Sequence, residues 1–497
     1  MLFNSPIFLF AFLPLTLAIF YLARTYIGGS AALLALVMAS LIFYGYWSPP
    51  FVGLLVASIL INYVFVTILS KRPSNFHLSA AIILNLAVLA YFKYRFFLAE
   101  NLSLFFDTSA LIKGTADYVI PLAISFFTFQ QIALLFDVKD KRTKVDSPLD
   151  YLAFVALFPQ LIAGPIVLFK EMRGQFAEIK ANNHKGLELF CPGVIIFSIG
   201  LFKKVVLADS IAPYSDMAFG MVERLTTLEA WLAALAFSLQ LYFDFSGYSD
   251  MAVGLGLMLG LTLPVNFRTP FRSTSMIDFW KRWHITMTRF FMLYVYSPMA
   301  LRIGRLSIER NFSTTLNFIA SIAIPTLITF FLSGLWHGAS WHFVMFGAVN
   351  GFALVINHAW RQAGLFRIPA FIGWILTICT VVVSFVYFRA PSIEVGTLML
   401  SKMFWNPTLV FPNWLSPLAE SLGVPWRSLA FIATGSYTLR LCIWIAIAGA
   451  ASLFVSKLTQ DLNLLKPTWK NAFCTATALL ISVGLFDRPQ TFIYFQF

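Results

Sequence analysis

A histidine lies in one of the most apolar parts of the sequence. His337 belongs to the segment GLWHGASW, which follows a long apolar run ending at Ser333. Because imidazole has an unperturbed pKa of about 6.5, a buried neutral histidine is well suited to act as a general base. Trp336 precedes it, and Ser333 lies about one helical turn before it. The alternative is a core histidine between helices that pack closely through the GxxxG spacing of this segment.

A second histidine, His284, ends the cluster DFWKRWH. If this cluster is helical, Asp278 and Arg282 form an i,i+4 ion pair, and Trp280 lies one turn before His284. The tryptophans and cations also fit an interfacial helix, because such residues anchor at the level of lipid headgroups. That interpretation does not account for the histidine, which precedes an apolar continuation of the chain. His284 is therefore the second candidate catalytic residue.

A third cluster, QLYFDFSGYSD, brings polar side chains into an apolar stretch. Helical spacing places Gln240 and Asp244 on one face, and it also places Ser246 and Asp250 on one face. Tyr248 adds a hydroxyl group between them. Ionisable groups at membrane depth are costly and usually line a cavity or a pathway. We expect these side chains to support a site; the alternative is a hydrogen-bonded network that holds helices together.

Several other chemistries lack the residues that they require. The chain has only six histidines, and its four cysteines are far apart in the sequence and form no CxxC pair. These features argue against a histidine-rich di-iron site, a zinc site and a disulfide framework. The sequence also contains no HExxH, no G-x-S-x-G and no phosphate-binding glycine loop. We therefore expect no metal site and no bound cofactor.

The composition indicates which elements must position these clusters. Hydrophobic residues make up 59% of the 497 residues and charged residues 11%. Soluble proteins contain roughly 45–50% apolar and about 25% charged residues, so this is the composition of a multi-pass protein in a lipid bilayer. The net charge of +13 comes from Lys and Arg in short connections between apolar runs. That distribution is typical of cytoplasmic loops and does not indicate a nucleic-acid partner.

The apolar runs predict an all-α polytopic membrane protein. Since a span needs about 20 mostly apolar residues, we expect about 11–13 transmembrane helices, together with re-entrant segments. The first run has no basic residues before it and no clear cleavage site, and it is interpreted as a retained span. Residues 229–245 and 248–264 are two separate candidate spans. No soluble domain and no internal repeat is evident.

The basic connections predict an orientation. Lys71-Arg72 and Lys139–Lys144 are separated by two spans, so both can face the cytoplasm, and the N-terminus then lies outside. The apolar segment Tyr151–Phe169 is followed by a second basic stretch, Lys170–Lys185. Both flanks of this segment therefore favour the cytoplasm. Since it contains two prolines, a re-entrant hairpin covered by protein satisfies the pattern.

Three blocks in this order resemble the membrane-bound O-acyltransferase family, and in particular its bacterial branch that contains alginate O-acetyltransferase subunits. They are LYFDFSGYSDMAVGLGLMLG, NFRTPFRSTSMIDFWKRWHITMTRF and LSGLWHGASWHFVMFGAVNG. The likeness extends over nearly the whole chain. One stretch departs from it: alginate-type enzymes continue after FWxRWH with an Arg-Asp pair and a Gly-Gly pair, and Phe290–Arg302 has neither. This departure concerns the acceptor and the partner interface rather than the acyl-transfer core.

The resemblance implies one membrane-embedded domain over residues 1–497 with a central tunnel or funnel. Its divisions would be peripheral helices over 1–145, a catalytic core over about 146–365 and C-terminal helices over 366–497. The family histidine of GLWHG-type segments falls on His337, and that of FWxRWH falls on His284. The bacterial branch implies a location in the cytoplasmic (inner) membrane.

The resemblance also implies a reaction and its partners. Acetyl-CoA would be the acyl donor, and the acceptor would be a hydroxyl of an exported polysaccharide, reached directly or through an extracytoplasmic transferase. His337 would act as the general base, and the polar cluster at 240–250 would orient groups around the tunnel. Four cations beside the second histidine could attract the donor's phosphates or could be ordinary interfacial anchors: Arg268, Arg272, Lys281 and Arg282.

Two other classes of function fit the same residues. A transporter or flippase for a lipid-linked or anionic solute would also need buried polar groups, broken helices and basic flanks. The absence of an inverted repeat in the sequence weighs against it. A non-catalytic scaffold of a polysaccharide export machine is the third possibility, and it predicts that substitution of His337 has no effect.

The re-entrant interpretation can be tested by labelling. In a variant without the four native cysteines, we expect single cysteines at Val145 and at Lys180 to react with an impermeant maleimide from the cytoplasmic side. Both positions flank the proposed hairpin, so they share a side of the membrane. Labelling of the two positions from opposite sides would contradict the hairpin and make Tyr151–Phe169 a true span.

Overall fold

The structure, a computed structural model, is dominated by helices. It describes most of the chain, over residues 1–47, 49–108, 120–182, 188–405, 408–410, 420–421, 423, 426–427, 436–454, 465–486 and 492–493. Two strands of two residues each, β1 (Leu409–Val410) and β2 (Trp426–Arg427), pair in parallel within this part. The all-helical class expected from the sequence is confirmed.

Eight helices of the described chain have the length and apolar composition to cross a membrane. A polytopic membrane protein is therefore confirmed, while the total of 11–13 spans stays a prediction. In chain order the eight helices are Phe8–Tyr26, Gly29–Trp47, Pro49–Lys71, Asn75–Leu102, Phe190–Phe219, Thr314–His337, Trp341–Gln362 and Ala370–Arg389.

Further helices connect and flank these eight. In the order of the chain they are Ile124–Lys139, Pro148–Ala156, Phe158–Leu161, Phe169–Lys180, Thr227–Met258, Met276–Trp280, Ile285–Phe291, Ser297–Glu309, Ile393–Phe404, Ser436–Phe454 and Trp469–Val483. A π-helical turn, Met292–Tyr296, links two of them, and short 3₁₀ turns lie at Val222–Arg224 and Pro270–Arg272.

The polar cluster at 240–250 lies within one uninterrupted helix, Thr227–Met258. The prediction of two separate spans there was wrong, because the intervening residues include no proline, and a single interior glycine costs a helix only about 1 kcal/mol. The chain turns only after this helix. There Gly260 adopts a positive φ of 76°, and the amide of Leu261 donates to the carbonyl of Gly256.

The segment interpreted as re-entrant is broken in the structure. The helix Pro148–Ala156 ends at Leu157, whose backbone leaves the helical region, and a single turn, Phe158–Leu161, follows. Proline at the second position of this turn prevents continuation of the preceding helix. Regular helix resumes only at Phe169. The backbone break that a hairpin requires is thus present, while its placement in the membrane stays a prediction.

The chain divides into two compact units. The first comprises residues 1–202, 247–266 and 461–496. In it, glycines allow two helices to touch: a β-carbon at Gly193 would lie 2.8 Å from the carbonyl oxygen of Gly254, and one at Gly200 would lie 2.6 Å from that of Gly247. Aromatic rings fill the adjoining core, including Phe3, Phe8, Phe43 and Phe158.

The second unit comprises residues 203–246 and 267–460, and it contains both candidate catalytic histidines. Its central feature is the close antiparallel packing of Thr314–His337 against Trp341–Gln362. A β-carbon at Gly334 would collide with the carbonyl oxygen of Phe343, and one at Gly347 with that of Phe330. Of the GxxxG pair, Gly334 therefore makes a close helix contact, near the helix end that carries His337, whereas Gly338 lies beyond the helix.

The close approach at Gly334 predicts the effect of a single methyl group. We expect Gly334→Ala to lower the melting temperature of the detergent-solubilised protein, with a loss of about 1–3 kcal/mol in the free energy of unfolding, because the methyl group forces the two helices apart. The matched control is Gly304→Ala, since nothing lies within 4 Å of its β-carbon position. Equal melting temperatures for the two variants would show that the space between the helices accommodates a methyl group at position 334.

Candidate active site

His337 is the last residue of its helix, and the sharp turn after it requires glycine. Gly338 is extended, with φ −165° and ψ 153°, and the chain reverses to begin the next helix at Trp341. A β-carbon at Gly338 would collide with the ring of Phe343, so no other residue fits at this position without displacing that ring. This turn fixes the imidazole at the junction of two packed helices.

Three aromatic rings surround the imidazole of His337. The ring centroids of Trp336, Phe388 and Phe346 lie 4.9, 5.2 and 5.4 Å from its own. All three meet the imidazole at interplanar angles of 72–86°, an edge-to-face arrangement favourable for aromatic pairs. His337 itself is only 5% exposed. We refer to Trp336, Phe346 and Phe388 as the aromatic cage.

The structure brings the second histidine to the same place. His284 is fully buried, and its ring centroid lies 5.7 Å from that of Trp336. The indole of Trp336 therefore touches both imidazoles. His284 also meets the ring of Phe245 edge-on, with centroids 4.6 Å apart. The two candidates, which are 53 residues apart in the sequence, thus flank one tryptophan.

The backbone at His284 differs from the expected helix. The helix Met276–Trp280 ends before it, and His284 is left-handed, with φ 42° and ψ 52°. The i,i+4 pair is nevertheless formed, because Arg282 Nε lies 2.8 Å from Asp278 Oδ1. A left-handed residue with a β-carbon is uncommon and costs on the order of 1–3 kcal/mol. Such strain is retained where surrounding packing imposes it, and here it turns the imidazole inward.

Burial also sets the charge of His284. Because no water reaches the imidazole, desolvation lowers its pKa from 6.5 to about 3. The ring is therefore neutral across the physiological range, with one nitrogen that can donate a hydrogen bond and one that can accept. This property suits a residue that orients neighbouring groups rather than one that carries positive charge.

Asp244 lies in a buried group of charges that sequence reasoning missed. The ammonium of Lys204 contacts Asp244 Oδ1 at 2.6 Å and Asp209 Oδ1 at 2.5 Å, and all three side chains are buried. The signal in the sequence was a Lys-Lys pair inside the apolar run that begins at Phe190. Since buried charges need partners, this group fixes the helix that carries Asp244 and the neighbouring Phe245.

The other residues of the 240–250 cluster are distributed over both units. Gln240 and Ser246 are buried in the second unit, and within the described chain neither Gln240 Oε1 nor the Ser246 hydroxyl has a hydrogen-bond partner. Tyr248 and Asp250 belong to the first unit. There the ring of Tyr248 lies between those of Phe3 and Phe492, each with its centroid 4.5 Å away.

A cavity of about 390 Å³ adjoins the site in the second unit. Its walls are mostly apolar, and they include the predicted residues Trp280 and Ser333. Ser333 lies one helical turn before His337, so the cavity extends to within a turn of the candidate base. The lining is completed by Ile277, Lys281, Met287, Thr288, Phe291, Met292, Tyr296, Thr326, Thr329, Phe330, Leu354, His358 and Arg361.

Only one of the four predicted phosphate-binding cations lines this cavity. That residue is Lys281, and it is joined by His358 and Arg361 from the end of another helix. Sequence reasoning missed these two, although their i,i+3 spacing at the end of an apolar helix was visible. Arg282 pairs with Asp278, and Arg268 and Arg272 are exposed away from the lining. Among the residues described, no cluster of His, Cys, Asp and Glu could hold a metal ion.

Comparisons with known proteins identify relatives. The membrane-bound O-acyltransferase family model matches residues 74–400. A peptidoglycan O-acetyltransferase of Helicobacter pylori is 34% identical over 100% of this chain and 98% of its own length. A probable alginate O-acetylase of Azotobacter vinelandii is 36% identical over 88% of this chain and 85% of its own. A teichoic acid D-alanyltransferase of Streptococcus thermophilus is 29% identical over 56% of this chain and 70% of its own.

The pKa of His284 predicts how stability changes with pH. Its pKa is about 3 in the folded protein and about 6.5 when unfolded, so below pH 6.5 the unfolded chain binds a proton that the folded chain does not. The free energy of unfolding should therefore fall by about 1.4 kcal/mol per pH unit between pH 6 and pH 3. His284→Asn, which tolerates the left-handed backbone, should remove this slope. Parallel melting-temperature curves for the two proteins between pH 7.5 and 4.5 would contradict the buried neutral imidazole.

Proposed function

Because the chain belongs to the membrane-bound O-acyltransferase family, we propose that it transfers an acetyl group from acetyl-CoA to hydroxyls of an exported cell-surface polysaccharide. Transfer occurs directly or through an extracytoplasmic partner transferase. Two relatives that match over most of their length are named an O-acetyltransferase and a probable O-acetylase, which supports acetyl as the acyl group. Family membership also favours acyl transfer over the transporter and scaffold alternatives.

The observation that carries this proposal is the buried His337 within a turn of an apolar, cation-edged cavity. In the reaction, the acceptor hydroxyl gives its proton to the imidazole as its oxygen attacks the thioester carbonyl. A C–O bond forms, the C–S bond breaks, and the proton passes from the imidazolium to the departing thiolate. General-base assistance of this kind contributes typically about 10²–10⁴-fold.

His284 acts in this proposal through Trp336. The neutral imidazole of His284 and the imidazole of His337 both pack against the indole of Trp336. A shift of His284 would therefore move the indole and, with it, the general base. Displacements of about 1 Å at such positions cost on the order of 10²-fold in rate, so His284 is a positioning residue for His337.

The cavity supplies the donor site. Coenzyme A combines anionic phosphates with a long, largely neutral arm that ends in the thioester. Lys281 and Arg361 would attract the phosphates together with His358, while the apolar walls would enclose the arm. The thioester would then reach the region of Ser333, next to the general base. In this proposal the donor binds from the cytoplasmic side of the bacterial inner membrane, and the N-terminus of the chain lies outside.

The proposal predicts that one side chain is indispensable. In cells with matched amounts of membrane protein, His337→Ala should lower the ester content of the cell-surface polysaccharide at least about 100-fold, because the hydroxyl loses its general base. Ester content is measured after mild alkaline release of acetate from isolated polysaccharide.

The matched control is His342→Gln. His342 is also buried, but its Nδ1 lies 3.1 Å from the backbone carbonyl of Tyr387, so its role is structural. We expect ester content in this variant to follow protein abundance. Unchanged ester in His337→Ala at normal abundance would reject the catalytic role and return His337 to the helix-packing interpretation.

A further inference from the structure

Protein side chains pack closely around His337, which is only 5% exposed. The cavity lining reaches Ser333 but includes neither His337 nor any member of the aromatic cage. The other two rings of the aromatic cage, Phe346 and Phe388, touch each other, with centroids 5.1 Å apart and an interplanar angle of 78°. An acyl group whose carbonyl lies on this side of the imidazole therefore meets Phe346 and Phe388.

Neither ring can easily give way. Phe388 also packs against Phe343 at 5.2 Å, and Phe346 packs against Phe385 at 6.2 Å. The residue after Phe346 is Gly347, where the helix backbone is pressed against the carbonyl of Phe330. Tightly packed interiors resist the addition of even one methylene group. The two rings therefore set a steric limit on the length of an acyl group beside His337.

We propose that Phe346 and Phe388 restrict the acyl group transferred at His337 to two carbons, so that the protein uses acetyl thioesters and rejects longer ones. This inference rests on the proposed function and adds the residues that determine acyl specificity. The chemical step is the same for any chain length: the thioester C–S bond breaks, the ester C–O bond forms, and the hydroxyl proton ends on the released thiol. Only the volume of the acyl chain decides which donors react.

The test compares donors in membranes that contain the full-length protein and the endogenous acceptor. Acetyl-CoA, butyryl-CoA and octanoyl-CoA are supplied separately, and release of free coenzyme A is measured above the level in His337→Ala membranes. For the unsubstituted protein we expect the butyryl rate to be at least about tenfold below the acetyl rate. Phe346→Ala and Phe388→Ala should each raise the butyryl-to-acetyl ratio by about tenfold, even where the absolute rate falls.

The matched control is Phe20→Ala. This ring is also fully buried, but it belongs to the first unit, and its described ring contact is with Tyr21 rather than with His337 or a member of the aromatic cage. Its butyryl-to-acetyl ratio should stay that of the unsubstituted protein. If the alanine variants do not accumulate in the membrane, Phe346→Leu and Phe388→Leu, which keep most of the volume, should raise the ratio by a smaller factor.

The outcomes separate the two proposals. Equal use of butyryl-CoA and acetyl-CoA by the unsubstituted protein overturns the steric limit and leaves the proposed function standing. The limit also fails if the ratio is the same in the cage variants and in Phe20→Ala while acetyl transfer continues. No release of coenzyme A from any donor above the His337→Ala level would reject acyl transfer from coenzyme A, and the limit with it.

Discussion

The candidate site depends on the close contact of two antiparallel helices, Thr314–His337 and Trp341–Gln362. Backbone meets backbone at Gly334 and Gly347, and the chain reverses at Gly338, where only the absence of a β-carbon makes room for a neighbouring ring. Because helices this close cannot slide or rotate independently, the last side chain of the first helix is held in place by main-chain packing. Two glycines therefore position the imidazole in different ways: Gly334 lets the helices pack closely, and Gly338 lets the chain turn directly after His337.

The second histidine is held by different means. The left-handed backbone of His284 stores strain, and packing against the rings of Phe245, Phe267 and Trp336 prevents relaxation. The helix that supplies Phe245 is fixed in turn by the buried contact of Lys204 with Asp244 and Asp209. Charges buried in this way contribute little net stability, but removing one of them is costly, so they specify one arrangement of the helices. The charged group and His284 are thus linked, because Asp244 and Phe245 are adjacent residues of this helix.

Features that depend on neighbours in the sequence could be predicted, and features that depend on distant parts of the chain could not. The helical class, most long spans and the Asp278–Arg282 pair follow from hydrophobic runs and i,i+4 spacing. The left-handed His284 could not be foreseen, because tertiary packing imposes it against the residue's own preference. The partner of Asp244 lies 40 residues earlier, at Lys204, and nothing in the local pattern connects them. The surroundings of Tyr248 could not be predicted for the same reason, since its ring packs against Phe3 and Phe492, which are both distant from it in the sequence.

Enclosure of His337, the candidate general base, by aromatic rings has a consequence for the choice of acceptor. A thioester beside an activated base can be attacked by water as readily as by a sugar hydroxyl, and water is far more abundant outside a membrane. At His337, three ring contacts and 5% exposure leave little room for solvent near the imidazole. Exclusion of water from such a site suppresses hydrolysis and strengthens each remaining polar interaction. The apolar surroundings that make a histidine look out of place in the sequence are thus what would allow it to direct an acyl group to a hydroxyl rather than to water.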